Sequence, residues 1–296
     1  MAKTTGSVNN YKPKSRRQIK SKNKSKYFEN AQRKSAKRAV KSISKQTDSE
    51  GGISQTNLPK LGPLSTAKDY NPEIFGKRLG RDFFDTPTEK LAVDLLGKVL
   101  CRRTDQGEIL CGKIVETEAY LGAIDPACHA YGGKRTARNA PMYGPPGTAY
   151  VYFIYGMYHC FNISSKEEGA CVLVRALEPL TGLTQMKELR AAKRKETAKP
   201  LKEHELANGP SKLCTALDIN KQELNNIDMV QSKQFWVVED ASLTGSEVFT
   251  VIHTTRIGID SYGKEAAQKL YRYYIFGNKH VSMKNKEAES RIEVAL

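Results

Sequence analysis

The stretch that decides the fold is ILCGKIVETEAY, residues 109–120, an apolar run that ends in two carboxylates and a tyrosine. Its β-branched and apolar residues predict a strand, and VLCRR at 99–103 predicts a second one. The turn residues DQG at 105–107 lie between them, so a hairpin is expected. Regular alternation would place Ile114, Glu116, Glu118 and Tyr120 on one face and Lys113, Val115 and Thr117 on the other. The first face is a candidate site, although two carboxylates on an arbitrary strand more often mark a solvent-facing edge.

The residues on either side of this hairpin predict a helix and a long loop. TPTE at 86–89 is a capping box with proline at the first helical position, and Leu91, Leu95 and Leu96 form an apolar face before Gly97. Residues 122–147 are rich in Gly, Pro, Arg and Asn. A loop of this length within a compact domain indicates a function.

An aromatic hairpin is predicted next, with strands at 150–154 and 158–162 joined at Tyr155, Gly156 and Met157. An aromatic side chain near the tip has two interpretations. It is either a wedge that enters a base stack or a residue packed on its own sheet, and composition alone favours packing.

The rest of the chain completes an α+β pattern without β-α-β alternation. Residues 171–177 predict a buried strand that contains Arg175, which needs a partner, and residues 183–195 predict a basic amphipathic helix. GPSKL at 209–213 predicts a helix start whose free amides and Lys212 could hold a phosphate, or else form solvated surface. Further strands are expected at 235–238, 248–252 and 272–276.

Charge is concentrated at the N-terminus of the 296-residue chain, whose formal net charge is +16. Residues 1–50 hold 15 Lys and Arg against 3 acidic residues, a balance of +12. This stretch has too few large apolar residues to offset its ordering entropy, so residues 1–70 are predicted to be a disordered arm. The clusters KPKSRR at 12–17 and RKSAKR at 33–38 are typical of nuclear import or nonspecific nucleic-acid contact; a functionless solvated tail is the alternative.

Several classes of protein are excluded by composition. No secretory signal is visible, and the longest apolar-rich run, 149–161, is too short to span a bilayer, so a soluble protein is expected. The six cysteines form no C-x-x-C pair and the five histidines lack ligand-like spacing. We therefore expect no metal and no cofactor, with the cysteines as small core residues.

Four motifs in order carry a family resemblance: RLGRDFF at 78–84, VETEAYLG at 115–122, PGTAYVYFIYGMY at 146–158 and GPSKLC at 209–214. They closely resemble the alkyladenine DNA glycosylase family, also called N-methylpurine or 3-methyladenine DNA glycosylases. The likeness runs from about residue 78 to 282 and is loose at 225–245. It implies a single α+β domain at 71–284, between the arm and a polar tail at 285–296. That domain would have a curved, mainly antiparallel sheet, surrounding helices and a protruding DNA-inserting hairpin.

The resemblance also implies roles for individual residues. Glu118 would be the general base that activates a water, and Arg175 would help to hold that water. The flipped base would be held in a pocket formed by Tyr120, His129, Tyr152 and Asn162. Tyr155 would fill the gap that the base leaves, and further DNA contacts are expected from Met142, Lys134, Arg138 and Lys212.

The function implied by the resemblance is excision of alkylated or deaminated purines from double-stranded DNA, by a monomer without a cofactor. Water is the expected nucleophile, because the nearby lysine, Lys113, falls on the opposite strand face from Glu118. Downstream base excision repair proteins are expected partners. The basic arm favours the nucleus, and its acid-poor, Ser-containing composition is also compatible with a mitochondrial pool. A nonenzymatic binder of distorted DNA is the alternative.

Overall fold

The computed structural model describes residues 76–154, 156–241 and 249–293. Their fold is of the predicted α+β class, and every strand pair is antiparallel. The strands are β1 Val99–Arg103, β2 Ile109–Tyr120, β3 Ala149–Ile154, β4 Tyr158–Ser164, β5 Cys171–Thr181, β6 Phe235–Val238, β7 Val251–Thr254 and β8 Arg272–Ile275. The main order across the sheet is β3-β4-β5-β2-β1-β6, and β8 pairs with both β2 and β7.

The helices surround this sheet. They are α1 Arg81–Phe84, α2 Thr88–Asp94, α3 Leu183–Ala192, α4 Pro210–Ala216, α5 Lys221–Leu224, α6 Lys264–Gln268 and α7 Lys286–Glu293. Short 3-10 turns occupy Gly122–Ile124, Tyr131–Gly133, Ala140–Tyr143, Glu203–Glu205 and Asp260–Tyr262. The predicted basic helix ends at Ala192 rather than at residue 195. In α7, Ala288 and Ile292 pack against the main apolar core, which holds this helix on the domain.

The start of α2 differs from the prediction. Pro87 occupies the N-cap position and the helix begins at Thr88, so Thr86 does not cap it. The Thr88 amide instead donates to Glu167 Oε2 at 3.0 Å, across 79 residues. A distant carboxylate therefore satisfies one of the free amides in the first turn of this helix, in place of a local capping side chain.

Strand β2 is the centre of the sheet. Its N-terminal half pairs with β1, residues 116–118 pair with β8, and β5 runs along the other edge. The register against β5 shifts between Ile114 and Glu116 and again between Glu116 and Thr117. The two shifts cancel, since Ile114↔Leu177 and Thr117↔Val174 are in the same register. Alternation is therefore kept, and Glu116 and Glu118 lie on one face, where both contact Arg175. Ile114 and Val115, predicted on opposite faces, are both buried in the main apolar core.

The predicted aromatic hairpin is present as β3 and β4, paired from Ala149↔Ile163 to Ile154↔Tyr158. Its turn includes Gly156, whose φ of +69° favours glycine. Phe153, Met157 and Tyr158 are exposed near the turn, whereas Tyr150 and Phe161 are buried further along. Tyr155, the predicted wedge, lies outside the described residues.

Other predictions reach beyond the described residues. The arm at 1–70 lies outside them altogether, and so does Val248 of the strand expected at 248–252, where the structure has β7 at Val251–Thr254. All six cysteines are buried, as expected of small core residues. Within the described ranges, no helix combines the length and apolarity that a membrane span requires.

Candidate active site

Glu118 is a fully buried carboxylate near the C-terminal end of β2. Oε1 lies 3.0 Å from Nη1 of Arg175 and accepts a 2.8 Å hydrogen bond from the amide of Ile257. Oε2 accepts a 2.8 Å hydrogen bond from the hydroxyl of Tyr120. Burial of a carboxylate is costly without hydrogen-bonding or charged partners, and these three groups supply them.

Arg175 obtains the partner that its position in an apolar strand required. It extends from β5 between two carboxylates, with Nε 3.1 Å from Glu116 Oε1 and Nη1 close to Glu118. The two carboxylates raise the pKa of Arg175, against an opposing effect of burial that is the largest single influence. Glu116 also accepts from Arg272 Nη1 at 2.8 Å. Two arginines and two carboxylates thus form one buried cluster across β2, β5 and β8.

Tyr120 lies between this cluster and a second buried ion pair. Its ring carries the guanidinium of Arg256, whose Cζ lies 4.7 Å from the ring centroid. Arg256 binds both oxygens of Asp125, a bidentate pair with almost no exposure of either side chain. Burial, and then the charge of Glu118, raise the pKa of Tyr120 well above its usual range, so the hydroxyl remains a donor.

His129, Tyr150 and Tyr152 form the aromatic part of the site. The ring centroids of His129 and Tyr152 are 4.8 Å apart in an edge-to-face arrangement, and His129 Nδ1 lies 2.9 Å from the Tyr150 hydroxyl. Burial, aided by the positive charge of Arg138, lowers the pKa of His129 to about 4. The imidazole is therefore neutral at physiological pH.

Asn162 is buried on β4. Its Nδ2 donates to the carbonyl of Tyr150 at 3.2 Å, and its Oδ1 lies 3.7 Å from the thiol of Cys171. Its amide group is thereby fixed in one orientation. Tyr152 on β3 and Asn162 on β4 belong to one strand pair, in which Tyr150 is the cross-strand partner of Asn162.

The four residues predicted to contact DNA differ in their surroundings. Met142 is only 2% exposed and packs with Cys128 and Tyr150, so its side chain is not offered at the surface in this state. Arg138 is exposed, and its Cζ lies 5.2 Å from the centroid of the Tyr152 ring. Lys134 is exposed, and Lys212 donates to Asn208 Oδ1 at 2.7 Å.

Three groups at the site, and one near the hairpin turn, were not predicted as functional from the sequence. Asp125 and Arg256 are 131 residues apart and belong to no motif, and the Ile257 amide carries no side-chain signal at all. Met157 is 58% exposed, and the sequence pattern predicted it only as part of the hairpin turn. For Arg256 the one available signal was an arginine following a strand-like run without a local partner.

In the described part of the chain, no group of three or more His, Cys, Asp or Glu side chains is close enough together to bind a metal ion. The site is a buried, arginine-bound carboxylate next to aromatic rings and a fixed amide. Such a combination suits a hydrolytic enzyme that acts on a substrate with a planar group.

Comparisons with known proteins identify the family. The model of the methylpurine-DNA glycosylase family matches residues 82–279. The human DNA-3-methyladenine glycosylase is 48% identical over 236 residues, which cover 77% of this chain and 78% of the human protein. The mouse protein of the same name is 46% identical over 253 residues, covering 85% and 74%. A Clostridium perfringens relative is 51% identical over 209 residues, covering 70% of this chain and its own whole length.

The resemblance found in the motifs is therefore confirmed. The chain belongs to the methylpurine-DNA glycosylase family and is an enzyme of the class that hydrolyses N-glycosyl bonds.

Proposed function

We propose that this protein is a monofunctional DNA glycosylase that removes alkylated and deaminated purines from duplex DNA. Its substrates are 3-methyladenine, 7-methylguanine, hypoxanthine and ethenoadenine, and its product is an abasic site for base excision repair. The observation that carries the proposal is Glu118, which is buried, bound by Arg175 and adjacent to the aromatic rings. Membership of the family and the names of the human and mouse relatives support the same reaction.

Glu118 acts as the general base in this proposal. It takes a proton from a water held with Arg175 while the water oxygen bonds to C1′ of the sugar and the bond from C1′ to the purine nitrogen breaks. Oxocarbenium character develops at the sugar, and the nearby carboxylate stabilises that positive charge. The Ile257 amide and the Tyr120 hydroxyl hold the carboxylate in place for both tasks.

Tyr120, His129, Tyr152 and Asn162 form the base pocket in this proposal. A base within a duplex leaves no room for attack at C1′, so the nucleotide is flipped, at a cost that damage reduces. Tyrosine faces attract a positively charged alkylpurine, and the fixed amide of Asn162 rejects normal guanine. Neutral lesions such as hypoxanthine need a proton on departure, which the charged lesions do not.

The central test is release of hypoxanthine from a duplex with a single lesion, by the wild type and by Glu118→Gln. We expect the variant to bind this duplex but to release almost no base. Equal release by both proteins would refute the role of Glu118. If neither protein released base while both bound, a nonenzymatic binder of damaged DNA would be the better account.

Water is the proposed nucleophile, rather than an amine. Lys113 on β2 is the lysine nearest Glu118 in the sequence. Its Nζ lies 2.8 Å from Asp240 in an ion pair, which supports the view that this amine takes no part in the reaction. Incubation with lesion DNA and borohydride should therefore trap no covalent complex. A trapped adduct would show that an amine attacks the sugar.

Tyr155 is proposed as the wedge that fills the gap left by the flipped base. Exposed Phe153 and Met157 on either side of this position support a hairpin turn that is open to DNA. Tyr155→Ser should weaken lesion binding and slow excision through poorer flipping. Unchanged kinetics would remove Tyr155 from this role. Contacts of Lys134, Arg138 and Lys212 with DNA belong to the same proposal, whereas the buried Met142 is not included in it.

The basic arm at residues 1–70 is proposed to serve nuclear import and search along DNA. Removal of these residues should reduce the salt dependence of nonspecific DNA binding, because fewer phosphate contacts release fewer counterions. Excision under saturating enzyme should change little. A fall in that saturated rate would assign the arm a part in catalysis instead.

A further inference from the structure

Each of the two pocket tyrosines already has a guanidinium beside its ring. Cζ of Arg256 lies 4.7 Å from the Tyr120 centroid, and Cζ of Arg138 lies 5.2 Å from the Tyr152 centroid. A cation over an aromatic face is attracted by the ring quadrupole. A positively charged purine is attracted to a tyrosine ring in the same way. A ring that already has a guanidinium beside it therefore attracts the charged purine more weakly.

Arg256 is fixed in this position. Its two terminal nitrogens bind the two oxygens of Asp125, Nη1 donates to the Ala119 carbonyl at 3.0 Å, and the side chain is fully buried. Because the guanidinium seals its side of Tyr120, a base can reach only the opposite face. The pair with Asp125 is neutral in sum, but its positive end is the one against the ring.

Arg138 is exposed and places a second positive charge beside the proposed base pocket, over the Tyr152 ring. Its loop is anchored by the neighbouring Asn139, whose Nδ2 donates to the carbonyls of His129 and Lys134 at 3.0 and 2.7 Å. The charge of Arg138 also acts on His129, where it adds to the effect of burial in lowering the pKa of that imidazole. A cation therefore faces the pocket from the exposed side as well as the buried side.

We propose that Arg256 and Arg138 set the charge preference of the base pocket, reducing the advantage of cationic alkylpurines over neutral purine lesions. The proposal rests on the proposed function and adds to it a determinant of substrate range. Flat cationic bases still bind, but the two tyrosines favour them over neutral bases by a smaller free energy. The excision rates of neutral and cationic purine lesions are therefore closer to each other.

The experiment measures the ratio of single-turnover excision rates for 7-methylguanine and hypoxanthine, each placed in the same duplex sequence. Arg138→Met is the first variant, because its side chain is exposed and its removal leaves the core intact. We expect the ratio to rise roughly threefold or more, and a larger rise for Arg256→Met. Arg138→Lys keeps the charge and should bring the ratio back towards that of the wild type.

Arg135→Met is the matched control. Arg135 is on the same loop and also lies over a tyrosine, with its Cζ 4.1 Å from the centroid of the Tyr143 ring, but Tyr143 is not a proposed pocket residue. Its loss removes one positive charge nearby and should leave the ratio unchanged. Thermal unfolding of each variant shows whether it is folded, and Arg138→Met decides the matter alone if Arg256→Met is not.

Two results would overturn this inference. One is a ratio that stays at the wild-type value in Arg138→Met and in any folded Arg256→Met. The other is an equal loss of both activities, which would mean that the arginines only hold the rings. A wild type that released neither base would instead refute the proposed function itself.

Discussion

Glu116 and Glu118 lie two residues apart on β2 and are equally buried, yet their surroundings differ. Glu116 accepts from two arginines, Arg175 and Arg272, at 3.1 and 2.8 Å. Glu118 shares Arg175 and otherwise receives only neutral donors, the Tyr120 hydroxyl and a backbone amide. The charge of Glu116 is thus fully compensated within the fold. Glu118 keeps more of its capacity to act on a water or a developing cation, and it is the one beside the aromatic rings.

The largest effect should separate the two carboxylates by activity. Glu118→Gln should slow single-turnover release of hypoxanthine about a thousandfold, because both proton transfer and charge stabilisation are lost. Glu116→Gln should slow it only about tenfold, through misplacement of Arg175. Quench-flow or gel-based cleavage of the abasic product measures both rates. A comparable loss in the two variants would make the carboxylates a joint catalytic pair.

The next largest effect is on stability, where Glu116→Gln should be more damaging than Glu118→Gln. Glu116→Gln leaves Arg272 and Arg175 short of a buried counter-charge, so the free energy of unfolding should fall by about 3 kcal/mol. Arg272 also donates to the carbonyls of Thr255 and Met283, so its displacement would disturb three segments. Glu118→Gln should cost less, because its amide oxygen still accepts from Ile257. Urea unfolding compares the variants, and an equal cost would contradict a structural role peculiar to Glu116.

A smaller effect is expected when the neutral donor to Glu118 is removed. Tyr120→Phe keeps the ring but loses the 2.8 Å hydrogen bond to Oε2. A hydrogen bond to a charged group is worth about 1.5–3 kcal/mol, so excision should slow roughly tenfold or more. Tyr273→Phe is the control, since that hydroxyl lies 3.4 Å from Glu89, which is not a proposed site residue. A rate unchanged by Tyr120→Phe would show that Glu118 does not depend on this donor.

The smallest effect concerns pH. The pKa of His129 is lowered to about 4 in the folded protein. At mildly acidic pH its imidazole is therefore protonated in the unfolded chain but neutral in the folded one. Stability should therefore fall as pH drops from about 6.5 towards 4. His129→Gln should flatten part of this dependence, as measured by urea unfolding at pH 7, 6 and 5. His159 and His280 also have lowered pKa values, so a remaining slope in the variant is expected.

Much of the central sheet could be predicted because its signals are local. The bounds of β1, β2 and β6 match the predicted strands, and Glu116, Glu118 and Tyr120 meet in one cluster, as their spacing suggested. The irregular pairing after Ile114 could not be predicted, since it arises where β2 is paired on both edges. The capping of α2 failed as a prediction for the same kind of reason, because its acceptor comes from a residue far along the chain.

The candidate site was predictable only where its residues form motifs. The carboxylate, the tyrosines and Arg175 stand in recognisable stretches, and family resemblance supplied their proposed roles. Asp125 and Arg256 pair across 131 residues by charge and geometry alone, which no local pattern records. Arg138 was expected to contact DNA. Its position over Tyr152 depends on a loop that is anchored by Asn139 through contacts that no sequence pattern records.

The double pairing of β2 has a consequence for how the protein opens and closes over time. Residues 116–118 are hydrogen-bonded to β5 on one edge and to β8 on the other, so their amides should exchange with solvent only through global unfolding. The outer end of the β3–β4 hairpin has a single ladder and should exchange by local opening. Glu118, the proposed general base, thus lies in the part of the domain expected to exchange most slowly, and the hairpin proposed to enter DNA lies in a part expected to exchange faster. Local opening of the hairpin would therefore leave the proposed catalytic groups in place.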